Sequence, residues 1–344
     1  MGKIIEEKII IGEGGEWPLN GLLTLPGINW EPVAGSGHES IDGGEVEQQR
    51  ESKAKPYPAV VFVHGSGPSD MNSKVFKVEP FKDLAEGLAK CGIASIRYDK
   101  RTFVHGKKMV KTLGGDLTIW DETIEDAILA ANMLRNDSRI DSNRIFIAGL
   151  SMGGMLAPRI DAEGGNFAGL IIMAGTPRRL EVVIKDQTED FINNSRGLIK
   201  WIAKKQTKKL LAKCDNLYDM SDEEAKKTNF INRHTKMFYL KDLGKKQVKE
   251  YLEVCTKPVL VMQGDGDFHV SVEHDFEEYK RILQNHKDAT FELYEGLNHV
   301  FMPTVYGDIN KAKKEYSKQQ NVSDCVIEDI AEWINTVSYQ TENH

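Results

Sequence analysis

Short apolar runs alternate with amphipathic stretches along most of this chain, and this alternation restricts its fold more than any other feature. The apolar runs lie at residues 59–63, 93–98, 145–148, 170–173, 259–262 and 290–294. Stretches with helical periodicity lie at residues 81–90, 121–135, 152–160, 273–284 and 323–337. Parallel strands covered by helices on both faces have such near-continuous apolar sequences. The pattern therefore predicts an α/β fold with a mostly parallel central sheet flanked by helices.

Two segments before residue 57 do not follow this alternation. Residues 4–11 and 22–25 have the composition of short strands on either side of a glycine-rich turn. Residues 27–56 lose their periodicity and are rich in Gly, Glu and Ser, which is typical of a long surface loop.

A third departure lies between residues 173 and 258, where the patterning is helical and no convincing strand occurs. Within it, residues 198–214 carry several lysines that are typical of a solvated helix face. We interpret the interval as a helical cap inserted into the sheet domain. The predicted division is a core domain of residues 1–177 and 256–344 and a cap, or lid, of residues 178–255.

The composition disfavours several classes of function. The formal net charge of the 344 residues is −7, whereas a large nucleic-acid interface needs a basic face. No stretch approaches the ~20 apolar residues that span a bilayer, and the N-terminus lacks the features of a secretory signal. The cysteines are scattered and form no Cys-x-x-Cys pair: they are Cys91, Cys214, Cys255 and Cys325. We expect a cytoplasmic protein with no metal or cofactor and no membrane insertion, and leave open a homo-oligomer.

The strongest local motif is Gly-Leu-Ser-Met-Gly at residues 149–153. It fits the Gly-x-Ser-x-Gly nucleophile elbow, in which a sharp strand-to-helix turn exposes the serine. The flanking predicted strand at 145–148 and helix at 152–160 supply the context that the pentapeptide alone lacks. Ser151 is therefore the predicted nucleophile, and the backbone N–H of Met152 is a predicted oxyanion donor at the helix N-terminus.

A second motif, His-Gly-Ser-Gly-Pro at residues 64–68, directly follows the apolar run at 59–63. Glycines after a strand let the backbone turn and direct an N–H at a reacting carbonyl. Ser66 is the predicted second oxyanion donor through its backbone, with Gly67 as the alternative.

Two carboxylates compete for the role of the acid that orients a catalytic histidine. Asp265 and Asp267 both follow the apolar run at 259–262. Asp265 precedes a glycine, and an Asp-Gly pair is explained by turn formation alone. Asp267 is therefore the predicted orienting acid.

His299 follows the last apolar run in a glycine-containing loop, downstream of both other partners. This placement predicts that His299 is the general base. His269 and His274 are predicted to lie at the surface or at the rim of the site. The order Ser151, Asp267, His299 is the Ser…Asp…His order of the elbow motif's fold. Each residue follows a predicted parallel strand, so all should meet at the carboxyl edge of the sheet.

These motifs, together with Arg-Tyr-Asp-Lys-Arg at residues 97–101, resemble the α/β-hydrolases of bacteria. The similarity is to the group that contains serine-aminopeptidase-like and dienelactone-hydrolase-like esterases, and it extends over residues 58–334. It rests on residues 64–68, 97–101 and 149–154, on Gly264-x-x-Asp267-x-x-Val270, and on residues 296–299. The resemblance implies the α/β-hydrolase fold, carboxylesterase activity and no cofactor.

The predicted function is hydrolysis of carboxylic esters with short to medium acyl or small aromatic groups, through an acyl-enzyme intermediate. The predicted partner is a small-molecule ester. An aminopeptidase or amidase on the same triad is the alternative, and Asp186, Glu189 or Asp190 would then bind the substrate's α-amino group. A thioesterase also stays open. A non-catalytic binding module on a hydrolase scaffold is a less favoured alternative.

Overall fold

The computed structural model describes residues 3–27, 55–230 and 235–342. Its sheet has eight strands in the spatial order β1-β2-β4-β3-β5-β6-β7-β8. The strands are β1 Ile5–Ile11, β2 Leu19–Leu25, β3 Tyr57–Val63, β4 Ala94–Tyr98, β5 Ile140–Leu150, β6 Leu170–Met173, β7 Val259–Gly264 and β8 Ala289–Tyr294. β2 pairs antiparallel with both β1 and β4. The remaining neighbours, from β4 through β3, β5, β6 and β7 to β8, pair parallel. The predicted mostly parallel sheet is confirmed.

Helices connect the parallel strands and cover both faces of the sheet. Those outside the interval between β6 and β7 are α1 Pro80–Lys90, α2 Arg101–Thr112, α3 Glu125–Arg135, α4 Met152–Ile160, α10 Glu277–Ile282, α11 Ala312–Tyr316 and α12 Asp324–Glu342. Alternate side chains of one strand enter the two hydrophobic clusters: Val61 packs on the side of α3 and α4, and Phe62 packs on the side of α1 and α12. Because both faces are covered, the central strands β3 and β6 are apolar along nearly their whole length.

Between β6 and β7, the described residues 174–230 and 235–258 form five further helices: α5 Leu180–Asn194, α6 Gly197–Asp215, α7 Asp222–Lys227, α8 Met237–Leu243 and α9 Val248–Leu252. A small separate cluster forms among them around Leu217, Met237 and Leu240. Tyr239 of α8 and Leu252 of α9 instead join the main core. The helical content of this interval matches the expectation, and its division from the core at residues 178 and 255 stays a prediction.

Some elements differ from their predicted form. The sequence pattern did not predict the helix α2. Only Arg101 and Met109 of its twelve residues are buried, so its apolar periodicity is too sparse to recognise. The strand β5 begins five residues before the predicted run, at a polar stretch where Tyr57 pairs with Ile140. The surface loop predicted at residues 27–56 falls almost wholly outside the described residues.

Candidate active site

Ser151 lies in the turn between β5 and α4 and is half-buried. Its backbone has φ 59° and ψ −119°, a strained conformation for a residue with a side chain. The Ser151 N–H donates to the Met173 carbonyl at 2.8 Å, and the Ser151 carbonyl accepts from the Met155 N–H at 3.0 Å. Both β6 and α4 thus hold the strained turn at the carboxyl end of β5.

The glycines around Ser151 are required by close backbone contacts. A Cβ at Gly149 would collide with the backbone of Gly153, and one at Gly153 would collide with the Val63 carbonyl of the neighbouring strand. Only glycine fits both positions without moving the backbone. The structure thereby explains the pattern of the motif and supports its interpretation as a nucleophile elbow.

The loop after β3 passes directly beside Ser151. A Cβ at Gly65 would lie 3.2 Å from the Ser151 Cβ. The Ser66 hydroxyl donates to the Met152 Sδ at 3.4 Å, so the two predicted oxyanion residues are neighbours. Met152 is the first residue of α4, where backbone N–H groups lack an acceptor within the helix. These positions suit the predicted pair of backbone donors.

Asp267 follows β7 with a fully buried side chain that accepts hydrogen bonds on both oxygens. Its Oδ2 contacts His299 Nδ1 at 2.7 Å and accepts from the Gln263 amide at 2.8 Å. Its Oδ1 accepts from the backbone N–H groups of His269, at 2.7 Å, and Val270, at 3.1 Å. Burial opposes ionisation, but His299 and these hydrogen bonds outweigh it and keep the pKa of Asp267 below its usual value.

An ionised carboxylate can only accept hydrogen bonds, so His299 Nδ1 carries the proton in the contact with Asp267. In the neutral form of the ring, the second nitrogen, Nε2, has the lone pair and can accept a proton. This is the tautomer that a general base requires.

Asp265, the competing carboxylate, has a different role. Its side chain accepts from the Gly296 N–H at 2.6 Å, and the residue is exposed. Gly296 has φ 71°, a conformation that favours glycine. Asp265 therefore stabilises the turn that leads to His299, whereas Asp267 contacts the His299 ring.

A buried polar pair shapes the loop that carries His299. The Asn298 amide donates to the fully buried Glu315 carboxylate at 3.2 Å, and the Asn298 carbonyl oxygen accepts from the N–H groups of Val300 and Met302. Glu315 also accepts from the backbone N–H of Val305 at 2.9 Å. These bonds give a short loop a defined conformation and orient the histidine within it.

His269 lies closer to the site than predicted. Its ring centroid is 4.8 Å from that of His299 in an edge-on arrangement, and the residue is half-buried. Burial, with the neighbouring His299, lowers the pKa of His269 to about 4. The imidazole is therefore neutral at neutral pH. His274 is exposed, as predicted.

Several contributing residues escaped the sequence analysis. Gln263 is a polar residue in the otherwise apolar strand β7 and donates to Asp267. A polar residue within an apolar run is the sequence feature that could have indicated this contact. Lys100, Glu122 and Tyr239 form a buried network beside the loop of Ser66. The partners in this network are distant along the chain, so no local pattern indicated it.

The acidic residues considered for binding an α-amino group are not arranged as a free cluster. Arg178 donates to Asp186 at 2.6 Å and forms two bonds, of 2.7 and 2.9 Å, to the fully buried Asp275. Asp186 is thus neutralised and helps to attach α5 to the sheet domain, whereas Glu189 and Asp190 are exposed.

Among residues 3–27, 55–230 and 235–342, no group of three or more His, Cys, Asp or Glu side chains is placed to hold a metal ion. Within the same ranges, no helix has the length and apolar character needed to cross a bilayer.

Comparisons with solved structures identify the fold. Est1E from Butyrivibrio proteoclasticus aligns with a TM-score of 0.52 at 15% identity, over 95% of this chain and 99% of that chain. A Pyrococcus furiosus esterase aligns with a TM-score of 0.53 at 13% identity, over 97% and 91% of the two chains. A puromycin-hydrolysing peptidase of Mycobacterium tuberculosis aligns with a TM-score of 0.51 at 16% identity, over 90% and 38%. At these identities the likeness shows the fold alone, and it is that of the α/β-hydrolases.

Sequence comparisons then define the family. A family model described as serine aminopeptidase, S33, matches residues 54–303, and the chain belongs to this family. The resemblance stated from the motifs is confirmed. The chain is also 34% identical over 279 residues to esterase EstD of Thermotoga maritima, across 81% of this chain and 62% of EstD. It therefore spans about three fifths of the length of that relative.

Proposed function

We propose that this protein is a serine hydrolase that cleaves carboxylic esters, with Ser151 as nucleophile, His299 as general base and Asp267 as orienting acid. The observation that carries the proposal is the 2.7 Å contact between Asp267 and His299 Nδ1, at the same sheet edge as the strained Ser151 turn. The likeness to esterase EstD supports an ester as the substrate class.

The mechanism follows from the roles of these groups. His299 Nε2 accepts the Ser151 proton while Oγ attacks the ester carbonyl, and the Met152 and Ser66 N–H groups stabilise the oxyanion. Collapse of the tetrahedral intermediate expels the alcohol, which takes the proton from His299, and leaves an acyl group on Ser151. Water, deprotonated by His299, then attacks the acyl-enzyme and releases the acid.

Amide or aminopeptidase activity on the same triad is the second candidate. The family description and the likeness to a peptidase fold favour it. The engagement of Asp186 by Arg178 weighs against it, because a paired carboxylate is a poor site for a substrate's α-ammonium group. We therefore place esters first, and thioesters stay open on the same chemistry.

We also propose that the helices between residues 178 and 255 form a lid that contributes to the acyl or alcohol pocket. The two ends of the segment join β6 and β7, which lie in the sheet between β5, followed by Ser151, and β8, followed by His299. An apolar pocket discriminates by only ~1–3 kcal/mol per methylene, so we expect a graded preference for short to medium acyl chains. We propose, in addition, that the protein is located in the cytoplasm.

The experiment is an activity screen over p-nitrophenyl esters of graded acyl length, acyl thioesters and aminoacyl amides. The proposal expects kcat/KM to be highest for an ester of short or medium chain. A higher kcat/KM for an aminoacyl amide would move the assignment to the aminopeptidase. A lack of turnover for all three classes would contradict hydrolase function.

A further inference from the structure

The motif at residues 97–101 is part of the family resemblance, but the proposed mechanism assigns no role to it. Two of its members join parts of the scaffold. Arg97 donates to Asn72 at 3.1 Å and to Thr24 at 2.6 Å, and Arg101 pairs with Asp126. Lys100 is different, because it contacts the loop that carries Ser66.

Lys100 follows β4 and is only 1% exposed. Its ammonium donates to the Gly65 carbonyl at 2.8 Å and pairs with the Glu122 carboxylate, also at 2.8 Å. A buried ammonium is costly unless it is paired and hydrogen-bonded, and these two contacts meet that need. The cation is therefore held against one particular peptide group.

That peptide group joins Gly65 to Ser66, and it is trans. In a trans peptide the C=O and the N–H lie in one plane and point in opposite directions. The contact between Lys100 and the Gly65 carbonyl consequently sets the direction of the Ser66 N–H. Gly65, at the start of this peptide, lies beside Ser151, since a Cβ at Gly65 would be 3.2 Å from the Ser151 Cβ.

We propose that Lys100 is a positioning residue for the oxyanion hole: it anchors the Gly65 carbonyl so that the Ser66 N–H faces the oxyanion formed at Ser151. This inference rests on the proposed serine-hydrolase function. The cation also polarises the peptide, which makes its N–H a stronger donor in a low-dielectric interior. Because the oxyanion exists in the transition state and not in the bound ester, the effect falls on kcat.

The carboxylate that holds Lys100 is itself fixed by the inserted helices. Glu122 accepts from the hydroxyl of Tyr239 in α8 and from that of Thr102. Burial opposes ionisation of Glu122, but Lys100 and these bonds keep its pKa below the usual value. The Tyr239 hydroxyl also lies 4.0 Å from the Met152 Sδ. One buried network thus connects α8 with both predicted oxyanion donors.

The test uses Lys100→Met/Glu122→Gln, which removes both charges together and keeps an acceptor for Tyr239. Three quantities are measured: kcat and KM on the best p-nitrophenyl ester, the inhibition constant of a trifluoromethyl ketone, and the rate of fluorophosphonate labelling. Deleting an oxyanion donor costs about 10²–10³-fold in kcat, and we expect about 10- to 100-fold here because the donor is misdirected, not deleted. We expect KM to change less than about threefold and the trifluoromethyl ketone to lose affinity by the same factor as kcat.

Lys257→Met is the matched control, because it breaks a 2.7 Å ion pair with Asp161 that lies outside the proposed machinery. We expect wild-type kcat from it. Glu122→Gln alone keeps the Lys100–Gly65 contact and should lose only a few-fold in kcat. Should the double variant not fold, Lys100→Arg, which keeps the charge with a different geometry, is judged by the same measurements.

A folded double variant with wild-type kcat and ketone affinity would overturn the inference, as would a loss confined to KM. The labelling rate distinguishes a failure of this inference from a failure of the proposed function. Phosphonylation of Ser151 uses the same oxyanion hole but does not require ester turnover. Rapid labelling of both wild type and double variant contradicts the role of Lys100. A wild type that resists labelling at Ser151 contradicts the hydrolase assignment and the inference with it.

Discussion

The turns at the carboxyl edge of the sheet and the helix α6 differ in how firmly their side chains are held. At the edge, Asp267 accepts four hydrogen bonds, and a fully buried Glu315 organises the His299 loop. In α6, Leu198 is 70% exposed and Trp201 61% exposed. The side chains of the first region are held by many hydrogen bonds, whereas the second region presents largely exposed apolar side chains.

This contrast indicates that the two regions have different functions in the proposed enzyme. Acyl transfer requires reacting groups that are already oriented, which dense hydrogen bonding provides. Discrimination among acyl chains requires apolar surface that can adapt to different lengths. We therefore expect substitutions at the edge to change the rate of all substrates, and substitutions in α5–α7 to change the ranking of substrates.

The largest expected effect is that of Ser151→Ala, which removes the nucleophile. Loss of one triad serine costs about 10⁶-fold in kcat in a comparable enzyme, so activity should fall by several orders of magnitude for every ester. Steady-state kinetics and a thermal melt check this outcome. A variant that keeps substantial turnover would show that another group does the chemistry.

The second prediction compares the two aspartates at the end of β7. Asp267→Asn should cost on the order of 10⁴-fold in kcat, because an amide no longer favours the required His299 tautomer. Asp265→Asn should cost far less, because its contact is with the Gly296 backbone. Both variants are assayed on the same ester, and the reverse ranking would contradict our choice of the acid.

The third prediction addresses selectivity in the helical insertion. Replacing Leu198, Trp201 and Ile202 together by alanine should shift the ratio of kcat/KM between medium-chain and acetyl esters by about tenfold or less, as expected for a partly open apolar surface. Ile10→Ala in β1 is the control, since Ile10 is 40% exposed and lies outside residues 178–255. An unchanged chain-length profile in the folded triple variant would leave α6 as a structural element only.

The smallest effect is on stability as a function of pH, at His64 beside the oxyanion loop. Burial lowers the pKa of His64 from 6.5 to about 4. Between these values the unfolded chain binds more protons, so the free energy of unfolding decreases as pH falls from 6.5 to 4 and is fully retained above 6.5. The His64 ring contacts the Tyr98 carbonyl at 2.6 Å, and a glutamine could donate there without titrating.

Urea denaturation at a series of pH values measures this contribution. His64→Gln should flatten the pH dependence between 6.5 and 4 by up to about one proton, with the remainder coming from groups such as His269. An unchanged slope would mean that His64 already binds a proton in the folded protein.

The fold and the proposed triad could be predicted because their signals are local. Each strand of the parallel sheet is an apolar run, and Ser151, Asp267 and His299 each follow such a run within a glycine-containing turn. The network of Lys100 could not be predicted in this way. Its partners, Gly65, Glu122 and Tyr239, come from separate elements, and only folding brings them together.

The helix α6 shows a different limit of the sequence. Its helical form and lysine-bearing face were predicted for residues 198–214, and the observed helix is Gly197–Asp215. Besides the lysines, the apolar residues Leu198 and Trp201 of this helix are exposed as well. Periodicity reports that a face is apolar but not whether another surface covers it.

The most direct test of the account is to identify the residue that forms the acyl-enzyme. Wild-type protein is reacted with a fluorophosphonate, digested, and analysed by tandem mass spectrometry to locate the adduct. We predict a single adduct on Ser151, with labelling slowed by Asp267→Asn and abolished by Ser151→Ala. An adduct on a different residue, or equal labelling of Ser151→Ala, would contradict the proposed active site.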